Sequence, residues 1–302
     1  MQQIHHLINQ WYQTNARQLP WREPHVSGWA VLVSEFMLQQ TPVVRVLPVW
    51  TEWMERWPRP QDLAAEPVSE AIKAWGRLGY PRRAVRLHAA AVEITTEYNG
   101  EVPTSEQQLL ALPGVGDYTA AAVACFAFGQ PTVVVDTNIR RVHARLFGGA
   151  ALPEPNPRAS EFVRARQVQP EDLATAVTWN ISVMELGALV CTARSPKCEQ
   201  CPVFEHCAWI AAGQPPPHYK PKGQAWQGTD RQVRGAMMAI LRDTDGLLAP
   251  SAFLSDLATQ QEPIFIGLQS LDSPLEQRER ALAGLLADGL ATEESDGIRL
   301  PS

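Results

Sequence analysis

Leu112-Pro-Gly-Val-Gly-Asp-Tyr-Thr-Ala-Ala-Ala-Val123 stands between two stretches of helical periodicity. Gly114 and Gly116 let the backbone turn sharply with its N–H groups pointing outward. The alanine-rich helix that follows adds its positive N-terminus, so such a hairpin can hold a phosphate without a charged side chain. An ordinary helix–helix turn would also use two glycines, but the whole Leu-Pro-Gly-Val-Gly string ahead of an alanine-rich helix is a more specific pattern.

Outward from the hairpin, apolar residues recur at three and four positions from Ile4 to about Ala212. Breaks fall near Pro20, Pro58, Gly79, Asn99 and Pro113, and again at Gly129-Gln130-Pro131 and between Pro153 and Pro157. No alternating strand pattern of useful length interrupts them, so the fold is expected to be mainly α. Residues 213–230 contain Pro215-Pro216-Pro217 and read as an extended linker. Beyond it, Arg231–Leu241 and Leu275–Leu290 have amphipathic spacing, and Gly297-Ile-Arg-Leu can close a short hairpin. Residues 231–302 are therefore expected to form a small α/β module, with a winged-helix-like arrangement one option.

Four of the five cysteines, Cys191, Cys198, Cys201 and Cys207, are spaced C-x6-C-x2-C-x5-C. The loops between them are too short for a disulfide framework to stabilise much, which favours a metal centre. Structural zinc usually uses two C-x2-C pairs, and one is present here. The wider gaps are compatible with a 4Fe-4S cluster, so spacing leaves both metals open. Cys125, in the helix after the hairpin, reads as a packed core thiol.

The formal net charge is −6, but it is uneven: residues 1–210 carry 18 Lys+Arg against 20 Asp+Glu, and residues 211–302 carry 8 against 12. A basic face on the first part stays compatible with nucleic acid. No apolar run is long enough for a membrane span or follows a basic start, so the chain is expected in the cytoplasm, where thiols stay reduced.

Two acids stand out. Glu35 is the acid in Val31-Leu-Val-Ser-Glu-Phe-Met-Leu-Gln-Gln-Thr41, an otherwise apolar helix, and removing its carboxyl from water would raise its pKa. A paired or solvent-facing helix glutamate is the alternative. Asp136 sits where a helix N-cap is expected, ahead of Ile139, Val142 and Leu146. A helix N-terminus lowers a carboxylate's pKa, so Asp136 is expected to stay ionised while Glu35 holds a proton. Cleavage of a glycosidic bond requires one acid that donates and one that remains charged. The residues are 101 positions apart, and the sequence does not show that they meet.

Together, the hairpin, an Asp some twenty residues after it and the cysteine spacing resemble the endonuclease III superfamily of helix-hairpin-helix DNA glycosylases. Within it, Leu19-Pro-Trp-Arg22, Ser34-Glu-Phe-Met-Leu-Gln-Gln-Thr41 and Gly76-Arg-Leu-Gly-Tyr80 are similar to the adenine DNA glycosylase branch. The resemblance covers about residues 1–210. It implies a six-helix barrel with the hairpin over 24–134, and a 4Fe-4S cluster domain over 1–23 and 135–212, with DNA held across the cleft between them. The linker (213–230) and the small module (231–302) lie outside it.

By the same resemblance, Glu35 matches the acid that protonates adenine N7, Asp136 the carboxylate that stabilises the sugar oxocarbenium, and Asn138 an asparagine that organises the site. Gln40 and Tyr80 match side chains that wedge into the base stack, and Leu38 belongs with them on the DNA side. Gly114 and Gly116 would hold a DNA phosphate, and Arg194 and Lys197 in the first cysteine loop would face the DNA backbone. Tyr118 occupies the position where strand-cleaving relatives carry a Schiff-base lysine. No lysine lies between Lys73 and Lys197, so base removal without strand scission is expected.

The implied substrate is double-stranded DNA with A:8-oxoguanine or A:G mispairs, acted on by a monomer associated with a bacterial-type nucleoid. The chain departs from the pattern at Pro81, where a second tyrosine is common, at Thr137, where glycine is frequent, and in a tail too short and helical for a Nudix-like domain. Two rivals remain: a thymine or uracil mismatch glycosylase of the same superfamily, and a non-catalytic DNA-binding protein that uses the cluster as a redox sensor.

Overall fold

The computed structural model describes all residues except 222, 224, 256, 258 and 259. Its helices are α1 (Gln2–Asn15), α2 (Gly28–Leu38), α3 (Val43–Arg56), α4 (Pro60–Ala64), α5 (Val68–Trp75) and α6 (Arg82–Glu97). The hairpin helices α7 (Glu106–Ala111) and α8 (Asp117–Phe128) follow, then α9 (Thr137–Leu146), α10 (Ala159–Val168), α11 (Leu173–Leu189) and α12 (Ala208–Ala211). The tail holds α13 (Asp230–Arg242), α14 (Ser251–Leu254), α15 (Ile266–Gln269) and α16 (Leu275–Ala287), then β1 (Thr292–Glu294) and β2 (Gly297–Arg299). Several starts are set by local chemistry. Ser105, Asp136, Asp172 and Thr229 each accept a backbone N–H of the helix they precede. The mainly helical expectation holds, and the short antiparallel hairpin forms where Gly297-Ile-Arg-Leu pointed, with Glu293 opposite Ile298.

The chain forms two compact units, Met1–Glu35 with Glu101–Lys222, and Phe36–Gly100 with Gly223–Ser302. In the first unit, α8 places Ala121, Ala122 and Cys125 in one apolar core with Ile139, Val142 and Leu146 of α9 and Trp179, Val183 and Leu186 of α11. Burying each large member stabilises the unit by about 1.5–3 kcal/mol, so the hairpin helix belongs physically with the cysteine region. Cys125 is fully buried there, as a core thiol.

In the second unit, Trp53 of α3 meets Trp57 and Trp75 edge-on, with ring centroids 4.9 and 5.7 Å apart. The tail joins this unit. Arg242 donates from Nε to the Ile72 carbonyl at 3.1 Å, Lys73 pairs with Asp245 at 2.9 Å, and Arg82 with Asp288 at 3.1 Å. The small module thus packs on α5 and α6, with Arg242 at the end of α13, a helix that buries Met237 and Ile240. The linker expected at 213–230 includes positions 222 and 224, which lie outside the described residues. Among the described residues, no helix is long and apolar enough to cross a membrane.

Candidate active site and metal centre

Glu35 lies near the end of α2, only 5% exposed, and its Oε2 accepts a 2.8 Å hydrogen bond from the Tyr118 hydroxyl on α8. Burial pushes its carboxyl up to about 7, against the pull of the Tyr118 bond and the Arg22 charge, and the Asp136 charge adds to the rise. Residues 101 positions apart therefore act on each other through space. Tyr118 is itself held well above the ordinary tyrosine range, first by burial and then by the charges of Glu35 and Asp136, so it stays a neutral donor.

Asp136 caps α9 as expected: Oδ1 accepts the Ile139 N–H at 2.6 Å, and Oδ2 accepts from Asn138 Nδ2 at 2.8 Å. Its carboxyl is nevertheless pushed up rather than down. Burial outweighs the N–H groups of Ile139 and Asn138 that favour the charged form, which corrects the expectation drawn from the cap alone. Those donors have no counterpart on Glu35 beyond the single phenol.

Arg141, which sequence reasoning passed over, connects this site to the cysteines. It is buried in α9 and donates from Nη2 to Asn138 Oδ1 at 2.8 Å and to the Gly187 carbonyl at 2.7 Å, and from Nε to the Cys191 carbonyl at 2.7 Å. Gly187 permits this closeness, because a Cβ there would stand 2.7 Å from Asn138 Cβ. Arg22 and Glu185 were also missed as a pair. Glu185, fully buried on α11, pairs with Arg22 at 3.0 Å and with Arg17 at 2.7 Å. Against burial, which pushes it up, these cations hold its carboxyl below the usual range. Arg22 ends the Leu-Pro-Trp-Arg motif, so its signal was visible without its role.

The four cysteines line one cavity of about 30 Å³ together with Arg145, Val190, Phe204 and Trp209. Among the described residues, no three His, Cys, Asp or Glu side chains converge as closely as one metal ion requires. Four thiols around one cavity suit an iron–sulfur cluster. Arg145 donates from Nη1 to Cys191 Sγ at 3.3 Å. Arg194 and Lys197 in the first cysteine loop are exposed. Gly114 takes φ +78° at the hairpin, and Gly116 caps α8 with open space around it. In the second unit, Gln40 is exposed and Leu38 half-buried, and Tyr80 is 45% exposed.

Residues 33–167 match the HhH-GPD superfamily of base excision DNA repair proteins, and residues 191–207 match the iron-sulfur binding domain of endonuclease III. The adenine DNA glycosylase of Mycolicibacterium smegmatis is 48% identical over 95% of this chain and 92% of its own. A thermostable thymine-DNA glycosylase structure aligns with TM-score 0.62 at 29% identity, over 69% of this chain and 95% of its own. A non-covalent endonuclease III–DNA complex aligns with TM-score 0.59 at 25% identity, over 70% and 97%.

The fold and the site thus define a helix-hairpin-helix DNA glycosylase, a hydrolase of base excision repair that cleaves an N-glycosyl bond. Within that class, the chain belongs to the adenine DNA glycosylase family, whose 4Fe-4S cluster falls to the iron-sulfur segment at residues 191–207.

Proposed function

We propose that the chain removes adenine from A:8-oxoguanine and A:G mispairs in duplex DNA without cutting the strand. The observation that carries this reading is the buried Glu35, hydrogen-bonded by Tyr118 and held near neutral pKa, with the Asp136 charge adding to the rise. Glu35 gives its proton to adenine N7, the C1′–N9 bond breaks with its electron pair leaving on the base, and the Asp136 carboxylate stabilises the oxocarbenium. Water then adds to C1′ and its proton returns to a carboxylate. Asn138 holds Asp136 in orientation, and Tyr118 holds Glu35.

On the DNA side, Gln40, Tyr80 and Leu38 enter the stack where the adenine leaves it. Gly114 and Gly116 present N–H groups to a phosphate, and Arg194 and Lys197 take the backbone beside the cluster. When bound, the cluster gives the loops around Cys191 to Cys207 a fixed shape. The cluster domain is read as 1–23 with 135–212, beside a barrel over 24–134. The protein is read as a monomer acting on nucleoid DNA in the cytoplasm.

The test is adenine or pyrimidine release, followed by alkaline strand cleavage, from A:8-oxoguanine, A:G, G:T and G:U duplexes. Preference for G:T or G:U overturns the reading in favour of the pyrimidine rival. Release from neither class, with intact DNA binding, favours the redox-sensor rival. Borohydride should trap no stoichiometric adduct, because a tyrosine at position 118 supplies no amine.

A further inference from the structure

Arg83 is 7% exposed in α6, and no carboxylate pairs with it among the described residues. Its two terminal nitrogens instead bond two turns. Nη1 donates to the carbonyls of Phe36 at 3.0 Å, Met37 at 3.3 Å and Gln39, all at the end of α2, where unpaired carbonyls and the helix dipole concentrate negative charge. Nη2 donates to the Gly79 carbonyl at 3.0 Å and to Thr41 Oγ1 at 3.2 Å. The guanidinium carbon also lies 5.2 Å from the Tyr80 ring centroid and 5.4 Å from that of Trp75.

These two turns share a second feature. Gln40 has φ +54° and Tyr80 has φ +49°, a left-handed conformation that residues with a Cβ adopt only when their surroundings hold them there. Gln40 lies between Gln39 and Thr41, both bonded by Arg83, and Tyr80 follows Gly79, which is bonded too. One planar fork with several donors can serve both turns at once, which a single ammonium cannot.

We propose that Arg83 is a positioning residue for base extrusion: its guanidinium locks the turn around Gln40 to the turn around Tyr80, so that both side chains enter the base stack already shaped. The inference rests on the reading of Gln40 and Tyr80 as wedges. Arg83 touches neither the reacting adenine nor the carboxylates, so its loss should slow extrusion and spare the chemical step.

The test uses the full cluster-loaded chain in a Glu35→Gln background, with 2-aminopurine in place of the target adenine opposite 8-oxoguanine. The fluorescence rise on extrusion is followed by stopped flow. Arg83→Met should slow that rise by about ten- to a hundredfold, the scale of a misplacement near 1 Å. In the parent background, Arg83→Met should leave excision of a bulged, unpaired adenine within a fewfold of the parent rate. Gln40→Ala and Tyr80→Ala should slow extrusion as well.

If those two alanine variants extrude normally, the wedge reading fails. If they are slow and Arg83→Met is not, the clamp fails while the wedge reading stands. Equal loss on paired and bulged adenine would mean general damage and overturns the positioning role. Should Arg83→Met not fold, Arg83→Lys keeps the charge but reaches one turn at a time; it is expected to slow extrusion, and a parent-like rate overturns the proposal.

Discussion

Replacing Glu35 with glutamine should abolish adenine release and, at alkaline pH, make the fold more stable. The folded carboxyl sits at about 7 and an ordinary glutamate at 4.5. Below 4.5 both folded and unfolded chains hold the proton, and the site costs nothing. As pH rises from 4.5 to 7 the unfolded chain ionises while the folded one keeps its proton, so stability falls with pH. Above 7 the folded state carries a buried carboxylate, and the full difference of about 3 kcal/mol applies.

Glu35→Gln removes this cost, and its amide oxygen can still accept the Tyr118 hydrogen bond, so the packing survives. The variant should gain up to about 3 kcal/mol at pH 8.5, or about 6 °C in melting temperature for a chain of this size. At pH 5 its advantage should shrink below about 1 kcal/mol. Melting curves of the cluster-loaded parent and variant at the two pH values measure this. In the parent, kcat/KM for adenine release should fall as pH passes about 7 and Glu35 loses its proton. A variant that gains nothing at pH 8.5, or that still releases adenine, refutes the assigned environment and role.

Asp136→Asn should stop excision with a change of less than about 1 kcal/mol in stability, since asparagine caps a helix as well as aspartate; release assays beside melting curves separate the two effects. Arg141→Met removes the donors to Asn138 and to the Cys191 carbonyl, and should lower both excision and iron per chain, read by metal analysis of the purified protein. Gly187→Ala forces a Cβ into Asn138 and should slow excision more than it lowers iron content. Cys201→Ser should lose visible absorbance and iron together, because burial pushes that thiol up to about 12 and only the iron keeps such a site deprotonated.

Features carried by contiguous residues were legible from the chain. The Leu112–Gly116 turn, the Asp136 cap, the cysteine window and the Gly297 hairpin all formed where local pattern placed them. Less legible were features set by what packs around a residue. The cap of Asp136 suggested a lowered pKa, but burial reversed the direction. The spacing of the tail placed its helices but not their partners, and Arg242, Lys73 and Asp245 join it to α5. Arg141 and Gly187 carried no signal that distinguishes them from any arginine or glycine in a helix.

Sequence alone therefore determined the class of fold and an iron–sulfur segment, and it nominated the two acids, because each depends on a spacing of a few residues that the backbone turns directly into geometry. Only tertiary structure decided that Glu35 meets Tyr118 and feels the Asp136 charge, that its proton is held to about 7, and that four thiols surround one cavity. A carboxyl's proton affinity is set by the water it loses and the charges it faces, and both are supplied by segments far apart in the chain.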